Sequence, residues 1–199
     1  MIALIDYGAG NVRSVRKALK AVGAEVTLTR NPKVVLAAEK VVLPGVGAFG
    51  DCMANLRRLD LVAPIRAVAA RGTPFLGICV GLQVLFEEGE EGGRHAGLGL
   101  LPGRVVRFDL PPEFKVPHTG WNQVQPVVAS PLFADLPPDA WAYFNHAYVC
   151  EPRSDHLLAV SDYGGRFACV VGRGNVTGIQ FHPEKSQGVG LQILSNFVG

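Results

Sequence analysis

"PFLGICVGLQVLFEEGEE", residues 74–91, runs from an apolar stretch into a more polar one and sets Cys79 between Gly77 and Gly81. "PFLGIC" reads as a buried strand, and the spacing predicts a helix over 80–88 directly after it. A strand that turns sharply into a helix at G-x-C-x-G matches a nucleophile elbow, in which the glycines permit the turn and the central side chain stays exposed. At a helix N-terminus, free N–H groups and the helix dipole favour thiolate over thiol. The competing reading of Cys79 is a small apolar filler at a strand end, the usual role of a free cysteine. Cys52, Cys150 and Cys169 lack such a frame and read as structural.

The rest of the first half repeats the same unit. "IALIDYG" precedes a helix from about Asn11 to Val22, "EVTLTR" and "KVVLPGVG" are strands, and "LRRLDLVAPIRAVAARG" carries helical periodicity before "PFLGIC". Strands alternating with helices imply a parallel sheet with crossover helices. Ligands of open α/β sheets bind at the carboxyl ends of the strands, so the site is expected on that rim. The second half holds "RVVRFDL", "GWNQVQPVV", "WAYFNHAYVC", "LLAVSDYG", "RFACVVGRG" and "VTGIQFHP", strand-like runs broken by Pro, Gly and Asp. They predict an antiparallel or mixed extension of the first sheet. A closing helix in "GVGLQILSNFV" places Leu191, Leu194 and Phe197 at helical spacing. The expected fold is therefore α/β, an open and mostly parallel sheet flanked by helices, in one domain spanning 1–199.

Composition narrows the function classes. With 48% hydrophobic and 18% charged residues in 199, the chain has enough apolar material for a sizeable core. Nineteen basic residues against 17 acidic ones are scattered rather than striped, which argues against nucleic acid as a partner. No apolar run approaches the roughly 20 residues of a membrane span, and the N-terminus has no basic leader. A cytoplasmic protein with no membrane partner is expected. The four cysteines form no CxxC pair, and neither metal nor cofactor is expected. "DYGAGN" lacks the full GxGxxG pattern, which rules out a dinucleotide loop there.

A thiolate mechanism needs a base that later acts as an acid, and a group that orients it. "FHPEKSQ" offers both: in an extended chain His182 and Glu184 project to one side, roughly 6.5 Å apart at Cβ. An imidazole Nδ1–H bonded to Glu184 would leave Nε2 directed at a sulfur. His95 and His156 read as surface residues. His118 and His146, in "PHTGW" and "FNHAY", suit packed or hydrogen-bonded roles better than catalysis. Acyl transfer further needs backbone donors for an oxyanion. "LPGVGAFG" supplies Gly45, Gly47 and Gly50, and the amides of Val46, Gly47 and Val80 are the candidates, against the plainer reading of a Gly-rich turn.

"GICVGLQ" and "FHPE", in this order, resemble the signatures of the class I glutamine amidotransferases, whose flavodoxin-like glutaminase domain carries a Cys, His, Glu triad. "PGVGAFG", "PHTGWN" and "HPEKSQ" are similar in particular to the glutaminase subunits of imidazole glycerol phosphate synthase in histidine biosynthesis. The resemblance covers essentially the whole chain. It implies hydrolysis of glutamine by Cys79, His182 and Glu184, with Gln83, Glu91 and the backbone near Tyr148 holding the amino-acid end. It implies a heterodimer with a separate (β/α)₈-barrel cyclase that receives the ammonia, and Asn11, Trp121, Tyr143 and Lys185 facing that partner. Ala147 departs from the family's frequent hydroxyl residue in "HxY". A partner-independent cysteine hydrolase of γ-glutamyl amides, a glutaminase subunit of another amidotransferase and a non-catalytic scaffold remain alternatives.

Overall fold

A computed structural model describes residues 1–199. Its strands are β1 (Ile2–Ile5), β2 (Val26–Thr29), β3 (Lys40–Gly45), β4 (Phe75–Cys79), β5 (Phe86–Gly89), β6 (His95–Ala96) and β7 (Leu101–Arg107) in the first half. The second half adds β8 (His118–Gln123), β9 (Gln125–Pro126), β10 (Trp141–His146), β11 (Tyr148–Pro152), β12 (Leu157–Asp162), β13 (Arg166–Arg173) and β14 (Val176–Ile179). The helices are α1 (Val12–Ala21), α2 (Pro32–Ala37), α3 (Phe49–Arg58), α4 (Val62–Ala70), α5 (Val80–Gln83) and α6 (Gln187–Val198). No helix is long and apolar enough to cross a membrane.

The main sheet runs in the order β2-β1-β3-β4-β14-β13-β11-β7-β5-β6, with β12 and β9 attached alongside β13. β2, β1, β3, β4 and β14 are mutually parallel. Every residue of β1 and β4 is buried, as expected of parallel strands covered by helices on both faces. From β14 onward the pairing turns antiparallel through β13, β11 and β7. The mixed extension expected from the second half is thus present, and one buried apolar cluster runs through both halves. The carboxyl ends of β3, β4 and β14 lie side by side and carry the residues of interest.

Several elements differ from their sequence reading. The helix expected over 80–88 is the single turn α5, after which Phe86–Gly89 forms β5 against β7 and β6. Gly89 lies so close to the Phe49 ring that a Cβ there would come within 2.6 Å of it, so only a glycine strand segment fits. The run "LRRLDLVAPIRAVAARG" is split: α3 begins upstream at Phe49 and takes in Gly50, and Asp60 at φ +53° ends it before α4. The run "WAYFNHAYVC" divides at Ala147 between β10, which pairs only with β8 in a separate two-stranded sheet, and β11 in the main sheet. In α6 the buried face is Gly190, Ile193 and Leu194, while Leu191 is exposed. Gly190 sets that rotation, because a Cβ there would meet the Pro183 carbonyl oxygen at 2.0 Å.

Candidate active site

Cys79 ends β4 and caps α5 with φ +56° and ψ −115°, a conformation that L-residues rarely hold. The glycines around it make the turn possible. A Cβ on Gly77 would sit 2.6 Å from the Gly81 carbonyl oxygen, and one on Gly81 only 1.9 Å from the Leu43 carbonyl oxygen. The elbow is thereby pressed against β3, which brings the β3 end (Gly45 to Gly47) to the start of α5. Gly47, at φ +94°, adopts the left-handed conformation that glycine supplies without cost. Gly50, inside α3, is not part of this loop.

His182 follows β14, and the parallel register that pairs Ile179 with Ile78 carries it to Cys79. Glu184 lies not in an extended strand but in a 3-10 turn over Pro183–Lys185. The expected pair still forms: His182 Nδ1 is 3.0 Å from Glu184 Oε1, with both side chains almost wholly buried. Nδ1–H donates to the carboxylate, and His182 also contacts the Cys79 sulfur. Burial opposes charge on this imidazole. Hydrogen bonding and attraction to Cys79 and Glu184 outweigh it and push His182 up to about 10. The imidazolium is therefore the favoured form at neutral pH beside the sulfur.

This elevation has a sign that can be tested. A histidine raised above its ordinary 6.5 stabilises the fold fully below that pH and loses the contribution as pH climbs through about 10. In Glu184→Gln the attraction is reduced, and the His182 midpoint, followed by ring proton and nitrogen chemical shifts, is expected to fall by roughly 1–2 pH units. An unmoved midpoint would remove Glu184 from its role beside His182.

One cavity gathers the remaining candidates. Val46, Gly47, Val80, Gln83, Glu91 and Tyr148 all line it together with Cys79 and His182, as do Ala147 and Lys185. Gln83 is buried and gives its Nε2 hydrogens to the Tyr148 carbonyl at 3.2 Å and to Gln180 Oε1 at 3.1 Å. Glu91 Oε2 accepts the Phe49 amide at 2.8 Å, which anchors the carboxylate at the cavity wall. Of the four residues named for a partner face, only Lys185 lines this cavity, and Trp121 lines a separate one. Asn11 Nδ2 is 3.5 Å from Glu184 Oε1, Lys185 Nζ sits 5.4 Å from the Tyr143 ring centre, and Trp121, 43% exposed, packs edge-on to Tyr143.

His146 also lines the cavity, yet both its nitrogens are engaged. Nδ1–H donates to the Tyr148 carbonyl at 2.9 Å, and Nε2 accepts from His118 Nδ1–H at 3.3 Å. Burial lowers His118 to about 4 and His146 to about 3, so both stay neutral, in the structural roles expected of them. His156, read as a surface residue, has a side chain only 11% exposed and lies 3.7 Å from Asp155. Cys52, Cys150 and Cys169 are free and buried, and burial raises all three thiols, so they stay protonated at neutral pH. One buried polar residue escaped the sequence reading: Gln180, fully buried, with Nε2 3.8 Å from Cys79 Sγ. Its only signal is its place two residues before His182 in "IQFHPE".

The family model "Glutamine amidotransferase class-I" matches residues 3–199. The imidazole glycerol phosphate synthase subunit HisH of Symbiobacterium thermophilum is 53% identical, covering 98% of this chain and 92% of that one. The HisH subunit of Rhodopirellula baltica is 51% identical over 99% of this chain and 96% of its own length. Among solved structures, PurLQS from Thermotoga maritima shares the fold at a TM-score of 0.75 and 20% identity, covering 98% of this chain and 96% of the other. A crystal structure of a glutamine amidotransferase gives the same score and identity over 96% and 95%. A chain with this cysteine elbow and this near-complete match belongs to the class I glutamine amidotransferases, in the family of the HisH subunits of imidazole glycerol phosphate synthase.

Proposed function

We propose that the chain hydrolyses glutamine to glutamate and ammonia and passes the ammonia to a separate cyclase subunit built as a (β/α)₈ barrel. That partner would use it to make imidazole glycerol phosphate and an aminoimidazole carboxamide ribotide. The observation that carries the reading is the strained Cys79 in contact with His182, whose other ring nitrogen is bonded to Glu184 at 3.0 Å. Cys79 Sγ, as thiolate, attacks the side-chain amide carbon of glutamine. The carbonyl oxygen gains negative charge, which the amides of Val46, Gly47 and Val80 stabilise. The C–N bond then breaks, and the departing ammonia takes its proton from the His182 imidazolium. A thioester remains on Cys79. Neutral His182 next removes a proton from water as it adds to the thioester carbonyl, and glutamate leaves as the thiolate reforms. Glu184 keeps Nδ1 protonated and Nε2 aimed at the reacting atoms throughout.

Substrate recognition follows from the same cavity. With both Nε2 hydrogens of Gln83 spent, its Oε1 is the free atom of that amide and accepts from the α-ammonium, which Glu91 neutralises. Backbone N–H at Tyr148 suits the α-carboxylate. Ala147 brings no hydroxyl to this contact, so the backbone carries it. Asn11, Trp121, Tyr143 and Lys185 are the proposed contacts to the cyclase, supported by Asn11 beside Glu184, Lys185 on the cavity wall, and the continuous contact from Lys185 through Tyr143 to the exposed Trp121.

The Gly-rich end of β3 offers a means of control. Rotation of the peptide that carries the Val46 N–H adds or withdraws an oxyanion donor, and partner binding is the proposed trigger. Val46→Pro deletes that N–H. Glutamate release in the presence of the cyclase is then expected to fall by on the order of 100-fold or more, with complex formation on a sizing column retained. Undiminished turnover would exclude Val46 as a donor.

A further inference from the structure

Gln180 is the first residue after β14, and its side chain has no contact with water. Burying a primary amide forfeits its hydration and is unfavourable unless its hydrogen bonds are replaced. The bonds that replace them here lead to two different parts of the site. Nε2 points to Cys79 Sγ at 3.8 Å, and Oε1 accepts a hydrogen of Gln83 Nε2 at 3.1 Å. Gln83 in turn holds the Tyr148 carbonyl at 3.2 Å, and that carbonyl also takes the His146 Nδ1–H.

The chain of bonds fixes every amide orientation along it. Inverting Gln180 would put its oxygen against the sulfur and its N–H₂ against the N–H₂ of Gln83. Inverting Gln83 would break two bonds at once. Gln180 must therefore present N–H to Cys79, a donor that favours thiolate over thiol and orients the sulfur lone pairs. We infer that Gln180 is a catalytic residue of this site, an N–H donor to the Cys79 thiolate that also locks Gln83 in its substrate-binding orientation. Nucleophile and recognition amide are then one connected unit, held by a residue that never touches the substrate's amino-acid end. The inference deepens the glutaminase reading and rests on it for the role of Gln83.

Gln180→Met keeps nearly the same volume and removes both polar atoms. Carbamidomethylation of Cys79 by iodoacetamide at pH 7, followed on the Cys79 peptide by mass spectrometry, is expected to slow about tenfold. Inactivation by the glutamine analogue 6-diazo-5-oxo-L-norleucine, which needs recognition as well as a thiolate, is expected to slow further still. A folded Gln180→Met chain whose Cys79 is alkylated at the wild-type rate would overturn the inference. A second measurement does not depend on the variant folding: in the wild-type chain, the Gln180 side-chain amide resonances must move when Cys79 is carbamidomethylated, and unmoved resonances would equally overturn it. Iodoacetamide does not recognise glutamine. Failure of the glutaminase reading would instead appear as absence of glutamate release by the wild-type chain with its cyclase.

Discussion

Replacing Cys79 by alanine is expected to abolish glutamine-dependent synthesis, a fall of at least about 10⁴-fold, while synthesis from added ammonium salts by the assembled pair continues. The size of the effect follows from the chemistry. Neither His146 nor another thiol can take over as nucleophile, because His146 has both nitrogens engaged and the three remaining cysteines are buried with raised pKa values and do not line the cavity. The fold should tolerate the change well. Alanine removes one sulfur from a site already open to a cavity, and it keeps the same backbone conformation at φ +56°. The measurement is product formation from glutamine and from ammonium in parallel, with complex assembly checked by sizing. If ammonium-dependent synthesis disappeared together with assembly, Cys79 would be a structural residue and the plainer reading of the thiol would stand.

Gly81→Ala is expected to be nearly as damaging although it removes no functional group. The added methyl would stand 1.9 Å from the Leu43 carbonyl oxygen and 2.9 Å from the Leu43 carbonyl carbon, both backbone atoms of β3. Neither can rotate away as a flexible side chain would, so α5 and β3 must separate by more than an ångström. Overpacking of this kind costs on the order of 1–3 kcal/mol in stability. The functional loss is larger, because the displaced parts are the Cys79 elbow and the proposed Val46–Gly47 donors, which would have to face one carbonyl. A misplacement of about 1 Å among reacting groups lowers turnover on the order of 100-fold. Thermal unfolding and glutamate release on the same sample test both halves. An alanine variant with wild-type turnover would show that the elbow and the oxyanion loop are not held together at this contact.

Much of this arrangement was legible in the chain because it is local. β1 and β4 are buried throughout and β3 from Val41 on, so each reads as an apolar run, with β3 ending at Gly45 and β4 at Cys79. His182 and Glu184 are two residues apart, and their pairing survives even though the chain turns there instead of running straight. The parts that escaped depend on contacts outside their own segments. α5 stops after one turn and Phe86–Gly89 pairs with β6 and β7, with Gly89 packed against the Phe49 ring. Leu191 faces solvent because Gly190 has to approach the Pro183 carbonyl. Ala147 changes sheets between β10 and β11 with no turn signal in "NHAYV". Gln180 is the most consequential of these. Only the register of β14 on β4, Ile179 beside Ile78, brings it to the sulfur, and no spacing within its own segment reports that.

The proposed mechanism joins three strand ends into one unit: the end of β4 would supply the thiolate, the segment after β14 its acid and base, and the end of β3 the donors for developing charge. Whether that unit serves a separate synthase is decided most directly by glutamate release from glutamine, measured on the isolated chain and on its mixture with the proposed cyclase partner, each with and without that partner's nucleotide ligand. The account predicts little glutamate from the chain alone and a large rise when both partner and ligand are present. Full turnover by the isolated chain, unchanged on mixing, would contradict it and identify a self-sufficient cysteine hydrolase.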